Sequence, residues 1–159
     1  MSSGRRLLIN LTGLLLAAGP LAAAWGADDV PKAHDLARES QSLKAVCAQC
    51  HDLQVVMDTP RSYDAWHDTV QTMIDRGASG SDQQLEDIMD YLHRTMTTID
   101  VNSADADELS IVLEAPDSVV NAVIARRKTR RFTGLDDLKT VPGIDVAKLG
   151  AKSRLLFFQ

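Results

Sequence analysis

The sequence predicts an all-α fold made of two small domains, and three observations lead to this prediction. Apolar residues recur at intervals of three and four, and helix-capping residues or tight turns separate the segments that carry them. The charge balance also changes near residue 100, because residues 27–99 hold 6 Lys+Arg against 13 Asp+Glu and residues 100–159 hold 9 of each. An acidic half followed by a balanced half favours a domain boundary between residues 99 and 100.

The first 26 residues have the layout of a secretory signal peptide. Arg5 and Arg6 form a basic start, residues 7–21 are largely apolar, and residues 22–26 are small except for Trp25. Polar and helix-breaking residues interrupt the apolar run, which favours a cleaved signal, although an uncleaved membrane anchor stays open. We expect an exported, periplasmic protein whose mature chain has no stable membrane span, because no later segment is apolar enough for one.

Three helices are predicted in residues 27–99. The first covers Lys32–Gln49, Ser62 is placed to cap the second, and the segment Gly77–Gly80 ends that second helix. Ser81 followed by Gln84 is a capping-box pattern that opens the third. The apolar positions of the first helix are Leu36, Leu43 and Val46. The second helix carries Tyr63, Trp66, Val70, Met73 and Ile74 on one face, and the third is predicted to point Leu85, Ile88, Met89 and Leu92 inward.

The most informative motif is Cys47-Ala48-Gln49-Cys50-His51. Two thiols at this spacing can each add to a vinyl group of a porphyrin, and the adjacent imidazole then lies beneath the iron. The spacing also allows a redox dithiol or half of a zinc site, but neither a βαβ context nor a second ligand pair is visible in the sequence. We therefore predict one covalently bound haem c, attached through Cys47 and Cys50, with His51 as an axial metal ligand.

Residues 35–97 resemble the class I-like monohaem cytochromes c, specifically the small periplasmic ones that serve dehydrogenases as partners or subunits. Beyond the haem motif, the resemblance rests on W-x-x-x-V-x-x-M at residues 66–73, on Gly77, and on I-x-x-Y-L at residues 88–92. It implies that Met73 is the second axial metal ligand. The alternatives that stay open are an open coordination site or ligation by Met57, His67, Met89 or His93. We expect His34 to be exposed to solvent and not a ligand.

Residues 100–159 predict a further set of helices. Asn102-Ser103 has the pattern of an N-cap before an acidic first turn, and a valine-rich helix with Val119, Val120, Val123 and Ile124 ends in the basic run 126–131. Phe132 to Leu138 is predicted to open another helix, with Thr133 and Asp136 at capping-box spacing. Val141 to Asp145 predicts a tight hairpin, and Val146 to Leu156 the last helix.

This half resembles the tandem helix-hairpin-helix module of the competence protein ComEA and of the photosystem II 12 kDa extrinsic protein. The shared pieces are V-N-S-A-x-x-x-E-L at 101–109, F-x-x-L-x-D-L at 132–138, V-P-G-I at 141–144 and the basic residues near 126. DNA-binding hairpins use Gly-hydrophobic-Gly, which lets bare N–H groups approach a phosphate. Here Glu114 stands in the first hairpin and Asp145 replaces the last glycine of the second. A docking or structural module is favoured over DNA binding.

These observations predict an electron-transfer protein and not an enzyme. We expect it to carry single electrons between a periplasmic dehydrogenase and a downstream acceptor, with the acidic half steering a basic partner and residues 100–159 serving as a docking module. One alternative is a ComEA-type DNA-binding protein of the cell envelope with a haem redox domain, and the altered hairpins argue against it. Another is an enzyme with an open-site haem, against which Met73 argues.

Overall fold

The computed structural model describes residues 34–159, and the regular structure of these residues is almost entirely helical, which confirms the all-α prediction. In chain order the elements are α1 (Leu36–Cys47), α2 (Gln54–Met57), α3 (Tyr63–Asp75), α4 (Asp82–Met96), β1 (Ile99–Asp100), α5 (Ala106–Leu113), α6 (Asp117–Thr129), α7 (Leu135–Leu138), α8 (Val146–Ala151) and β2 (Leu156–Phe157). The signal peptide predicted for residues 1–26 lies outside the described residues. Between residues 34 and 159 no helix is both long and apolar enough to cross a bilayer.

Side-chain caps set the starts of α1, α3 and α4, and two of the three follow the sequence prediction. Ser62 caps α3 through its hydroxyl, and Ser81 and Gln84 form the predicted capping box at the start of α4. Helix α1 is shorter than predicted, because the Asp35 carboxylate accepts the first free N–H groups and fixes the start at the next residue. The helix ends at Cys47, so the predicted end at residue 49 is wrong, and the predicted start at residue 32 lies outside the described residues.

The described residues bury two hydrophobic clusters within one compact unit. The first cluster contains Leu43, Val46, Trp66, Ile88, Leu92 and Met96. The second contains Ile99, Val101, Ala104, Leu109, Val112, Leu113, Val120, Val123, Phe132, Leu138, Val141, Leu149, Leu155 and Leu156. Of the three apolar positions of the first predicted helix, Leu43 and Val46 are buried, whereas Leu36 is 45% exposed at the first position of α1. The first cluster ends at Met96 and the second begins at Ile99, close to the domain boundary predicted between residues 99 and 100. The division into two domains stays a prediction.

Backbone and side-chain hydrogen bonds join the two clusters. The indole N–H of Trp66 donates to the carbonyl of Met96 at 3.0 Å, at the end of α4. Three residues further on, β1 pairs in parallel with β2, so the last strand of the second half lies beside the chain that leaves the first half. The Lys152 ammonium donates to the Arg94 carbonyl at 2.5 Å and pairs with Glu114 at 2.8 Å. These contacts explain why two clusters form one unit.

The start of the second half differs from the prediction. The N-cap of α5 is Asp105, which forms a capping box with Glu108, so the predicted cap at Asn102-Ser103 is wrong. Asn102 has a longer-range role, because its side chain donates to the Phe132 carbonyl at 2.9 Å and accepts from the Phe132 N–H at 2.8 Å. This bidentate contact fixes the extended segment after α6, whose Phe132 ring is buried in the second cluster.

Two further helix predictions in this half are corrected. Gly134, and not Thr133, is the residue before α7, and no side chain caps this helix. The predicted capping box of Thr133 and Asp136 is therefore absent, and the Thr133 N–H donates to Asp137. The last helix ends at Ala151 and not at Leu156, since the chain continues into a 3₁₀ turn and then into β2. The predicted hairpin at residues 141–145 is present, and Gly143 adopts φ +83° there.

Replacing Asn102 with Ala should lower the free energy of unfolding by about 2 kcal/mol, because two partly buried backbone groups of Phe132 lose their partner. Urea denaturation followed by circular dichroism measures the change. Asn121→Ala, at an exposed position of α6, is the matched control and should stay within about 0.5 kcal/mol of the wild type. Equal stability of the two variants would show that the contact with Phe132 contributes nothing.

Candidate functional site

A largely apolar cavity of about 440 Å³ lies beside the first cluster. Its apolar walls come from α1, the short α2 segment, α3 and α4, through Leu43, Val55, Val56, Trp66, Val70 and Leu92. Cys47, His51 and Met73 line the same cavity. Its volume falls within the range of pockets that bind small molecules and cofactors, and its lining combines apolar walls with a few polar groups, as such pockets do.

A second, smaller cavity of about 170 Å³ shares several wall residues with the first. Cys47, His51 and Met73 line both, and Cys50 lines the smaller one. The structure therefore brings together all four residues that the sequence singled out. Their role as haem attachment points and metal ligands stays a prediction.

The thiols lie where α1 ends. Cys47 is the last residue of α1 and is half-buried, whereas Cys50 follows in the exposed turn, and both are free thiols. Burial raises the pKa of the Cys47 thiol. A redox dithiol needs the opposite shift, because its attacking cysteine must be a thiolate near neutral pH. Among the described residues neither cysteine belongs to a group of three metal-ligating side chains, so a zinc site here has no support from its surroundings.

The ring of His51 is held in one orientation by the backbone. Its Nδ1 lies 3.0 Å from the carbonyl oxygen of Asp52. A carbonyl oxygen can only accept, so this contact requires the proton on Nδ1, and in the neutral imidazole Nε2 then has a free lone pair. Metal-binding histidines commonly have this arrangement, in which the second ring nitrogen donates to a carbonyl and fixes the tautomer.

Met73 is positioned by both ends of α3. Near the start, the buried indole of Trp66 is tied to the end of α4 through the Met96 carbonyl. At the other end Gly77 adopts φ +102°, and the Ala78 N–H donates to the Met73 carbonyl at 2.9 Å. This hydrogen bond closes the last turn of the helix, so the backbone of Met73 is held at the cavity wall.

The other sulfur and imidazole candidates lie elsewhere. Met57, His67, Met89 and His93 line neither cavity. The two methionines pack, partly buried, against the first cluster. The two histidines form an aromatic group with Tyr63, in which the ring of His93 stacks on that of Tyr63 at 3.8 Å between centroids. Burial, with a smaller contribution from the charge of His67, lowers the pKa of His93 to about 4, so this ring is neutral at pH 7.

Sequence reasoning missed Arg61 and Arg76, which also line the larger cavity. Arg61 lies over the ring of Trp66, with Cζ 5.6 Å from the ring centroid, and Arg76 follows the last residue of α3. A sequence signal for them exists. Between Lys44 and Arg94 the acidic half contains no other Lys or Arg. Arg61 and Arg76 flank the two ends of α3, and this placement could have predicted a binding site for a negatively charged group along that helix.

The basic run of the second half is used within the protein. Arg126 and Arg130 both pair with Asp137, Arg127 donates to the Val101 carbonyl at 2.9 Å, and Arg131 donates to the Gln159 carbonyl. These arginines tie α6 to α7 and to the strand region. The run therefore has a structural role in addition to its charge.

The two hairpins also use their polar groups internally. Glu114 adopts the left-handed conformation with φ +49° at the end of α5 and pairs with Lys148 and Lys152. Burial raises the pKa of Glu114, but the hydrogen bond and charge of Lys152 outweigh this effect, so its pKa is lowered overall. In the second hairpin the Asp145 carboxylate accepts from the Ala147 and Lys148 N–H groups at 3.0 Å each. Those are the amides that a phosphate would need.

The chain matches no protein-family model, no curated protein and no solved structure.

Gly77→Ala should destabilise the protein by about 1–2 kcal/mol, because an L-residue is strained at φ +102°. Gly150→Ala, inside α8, is the matched control, since a methyl group at either position meets no atom within 4 Å. The control should gain up to about 1 kcal/mol from helix propensity. Opposite signs in urea denaturation are expected, and a stabilised Gly77→Ala variant would contradict the conformational role of Gly77 at the Met73 end of α3.

Proposed function

We propose that this protein is an exported, monohaem c-type cytochrome that transfers single electrons between redox proteins and uses residues 100–159 as a docking module. The observation that carries the proposal is that Cys47, Cys50, His51 and Met73 surround two adjoining cavities with largely apolar walls. The resemblance of residues 35–97 to monohaem cytochromes c points the same way.

The residues present fit a covalently held haem. The two free thiols would add to the porphyrin vinyl groups to form thioether bonds, and His51 Nε2 and the Met73 sulfur would bind the iron. A haem supplies a reversible ferrous–ferric couple for one electron. The apolar side chains of the larger cavity would exclude water, and Arg61 and Arg76 would offset the negative charge of the haem carboxylates.

Electron transfer is favoured over an enzyme with an open coordination site. The second ligand proposed here, Met73, lines both of the cavities that His51 lines. The His51 imidazole and the Met73 thioether would hold the iron from the protein, and a histidine–methionine ligand pair raises the reduction potential of a haem. The donor class we propose is a periplasmic dehydrogenase, and the acceptor is another redox protein.

A docking role for residues 100–159 is favoured over DNA binding. Affinity for DNA depends on free cations that neutralise phosphates. Four arginines of the basic run already bind acceptors within the protein. Carboxylates also occupy both hairpins, and that of Asp145 already accepts from the amides at the start of α8. The acidic first half would instead attract a basic protein surface, and such an association should weaken with salt.

Redox titration of Met73→Ala tests the proposed function. The wild type should show one reversible one-electron transition and, in the ferric form, a weak near-infrared band from sulfur–iron charge transfer. The variant should lose this band, and its potential should fall by at least about 59 mV, which corresponds to a tenfold lower preference for the ferrous state.

Met89→Ala is the matched control, because Met89 has the same side chain, packs against the first cluster and lines neither cavity. It should keep both the band and the potential while losing some stability. Loss of the band in Met89→Ala, with its retention in Met73→Ala, would show that the sulfur ligand comes from α4 and not from α3. A wild type without any one-electron transition would refute the proposed function itself.

A further inference from the structure

The Glu39 side chain is buried without a hydrogen bond. Its carboxylate lies on α1, its exposed fraction is 0%, and neither oxygen accepts a hydrogen bond from any residue between 34 and 159. Burying an ionised carboxylate is costly unless a cation or hydrogen-bond donors compensate for the lost water. A cation at this position would therefore stabilise the ionised form of Glu39.

Two other ligand-type side chains approach the same carboxylate. His34 precedes α1, and its Nδ1 lies 3.5 Å from Glu39 Oε1, which is an ion-pair distance without hydrogen-bond geometry. Asp90 comes from α4, and the ligand atoms of the three residues lie within 4.8 Å of one another. The His34 side chain is 40% exposed, so the group can be reached from solvent.

An ion pair with His34 alone does not balance this group. The group comprises two carboxylates and one imidazole, and a protonated imidazole can compensate for the charge of only one carboxylate. A divalent cation would neutralise both carboxylates and leave the imidazole uncharged as a third ligand. Two ligand atoms at about 2.1 Å from a tetrahedral zinc ion are about 3.4 Å apart, which is close to the observed separation of the His34 and Glu39 atoms.

We propose that His34, Glu39 and Asp90 bind a divalent transition-metal cation of the Zn²⁺ class and thereby fasten the start of α1 to α4. The imidazole selects this class over Ca²⁺ and Mg²⁺, which prefer sites made only of oxygen. None of the three residues lines either cavity at the haem motif, so the site is independent of the proposed function.

Zinc binding to the full chain tests this proposal. The protein is purified without a polyhistidine tag, treated with a chelator and dialysed against Zn²⁺ and, separately, Ca²⁺. One Zn²⁺ per chain should bind and raise the melting temperature, and Ca²⁺ should not. Glu39→Gln and His34→Ala should each weaken zinc binding at least about 100-fold, because loss of a direct ligand exceeds the usual effect of an outer-shell change.

The controls are His67→Ala and Asp68→Asn, which remove an exposed histidine and an exposed aspartate of α3 from outside the group, and both should keep the zinc affinity. Glu39→Gln should fold at least as well as the wild type without metal, since it removes an uncompensated charge. If Glu39→Gln does not fold, the zinc affinity of His34→Ala still tests the proposal, because the His34 side chain is exposed and its loss should not affect folding. Absence of zinc binding, equal binding in His34→Ala, or equal binding of Ca²⁺ would overturn the proposal, and none of these results depends on the haem spectrum.

Discussion

The apolar cavity beside Trp66 is the constraint on which the first half of the molecule depends. Protein interiors are close-packed, and side chains that face a void lose dispersion contacts on that side. Only six buried apolar residues form the first cluster, yet a cavity of about 440 Å³ adjoins it. A ligand bonded to the chain at Cys47 and Cys50 would complete this core, and the proposed haem has the apolar surface to do so.

The position of Met73 follows from the packing of α3, which is fixed by contacts distant in sequence. Trp66 reaches the end of α4 through the Met96 carbonyl, and Arg61 pairs its backbone with Thr97. The same end of α4 leads directly into β1 and receives the Lys152 ammonium at the Arg94 carbonyl. Hydrogen bonds thus fasten the second half to the segment that supports the cavity. A partner that docks on residues 100–159 would therefore bind a body that is connected to the proposed redox site.

Local signals in the sequence predicted much of the first half. Ser62 and the Ser81–Gln84 pair act over three residues, and the left-handed Gly77 ends α3 where the Gly-containing segment was placed. The motif at residues 47–51 brought three candidate residues together, and the resemblance to a known family added Met73. The structure places all four around the same cavities.

The missed features depend on contacts that short-range patterns do not encode. Asn102 has the chemistry of a helix cap but binds Phe132, which is 30 residues away. Leu156 was assigned to a helix, whereas pairing with Ile99 draws it into a strand. Glu39 has the pattern of a surface residue in the first turn of α1, and only the packing of α4 against that helix shows that it is buried.

The proposed covalent attachment of one haem through Cys47 and Cys50 is tested most directly by the intact mass of the protein. The protein is expressed together with a haem-attachment system, purified from the periplasm and denatured in acid before mass spectrometry. The proposed structure predicts the polypeptide mass plus one haem, and the bare polypeptide mass for the double variant Cys47→Ala/Cys50→Ala. A wild-type chain that carries no haem, or one that releases its haem in acid, would contradict the central claim.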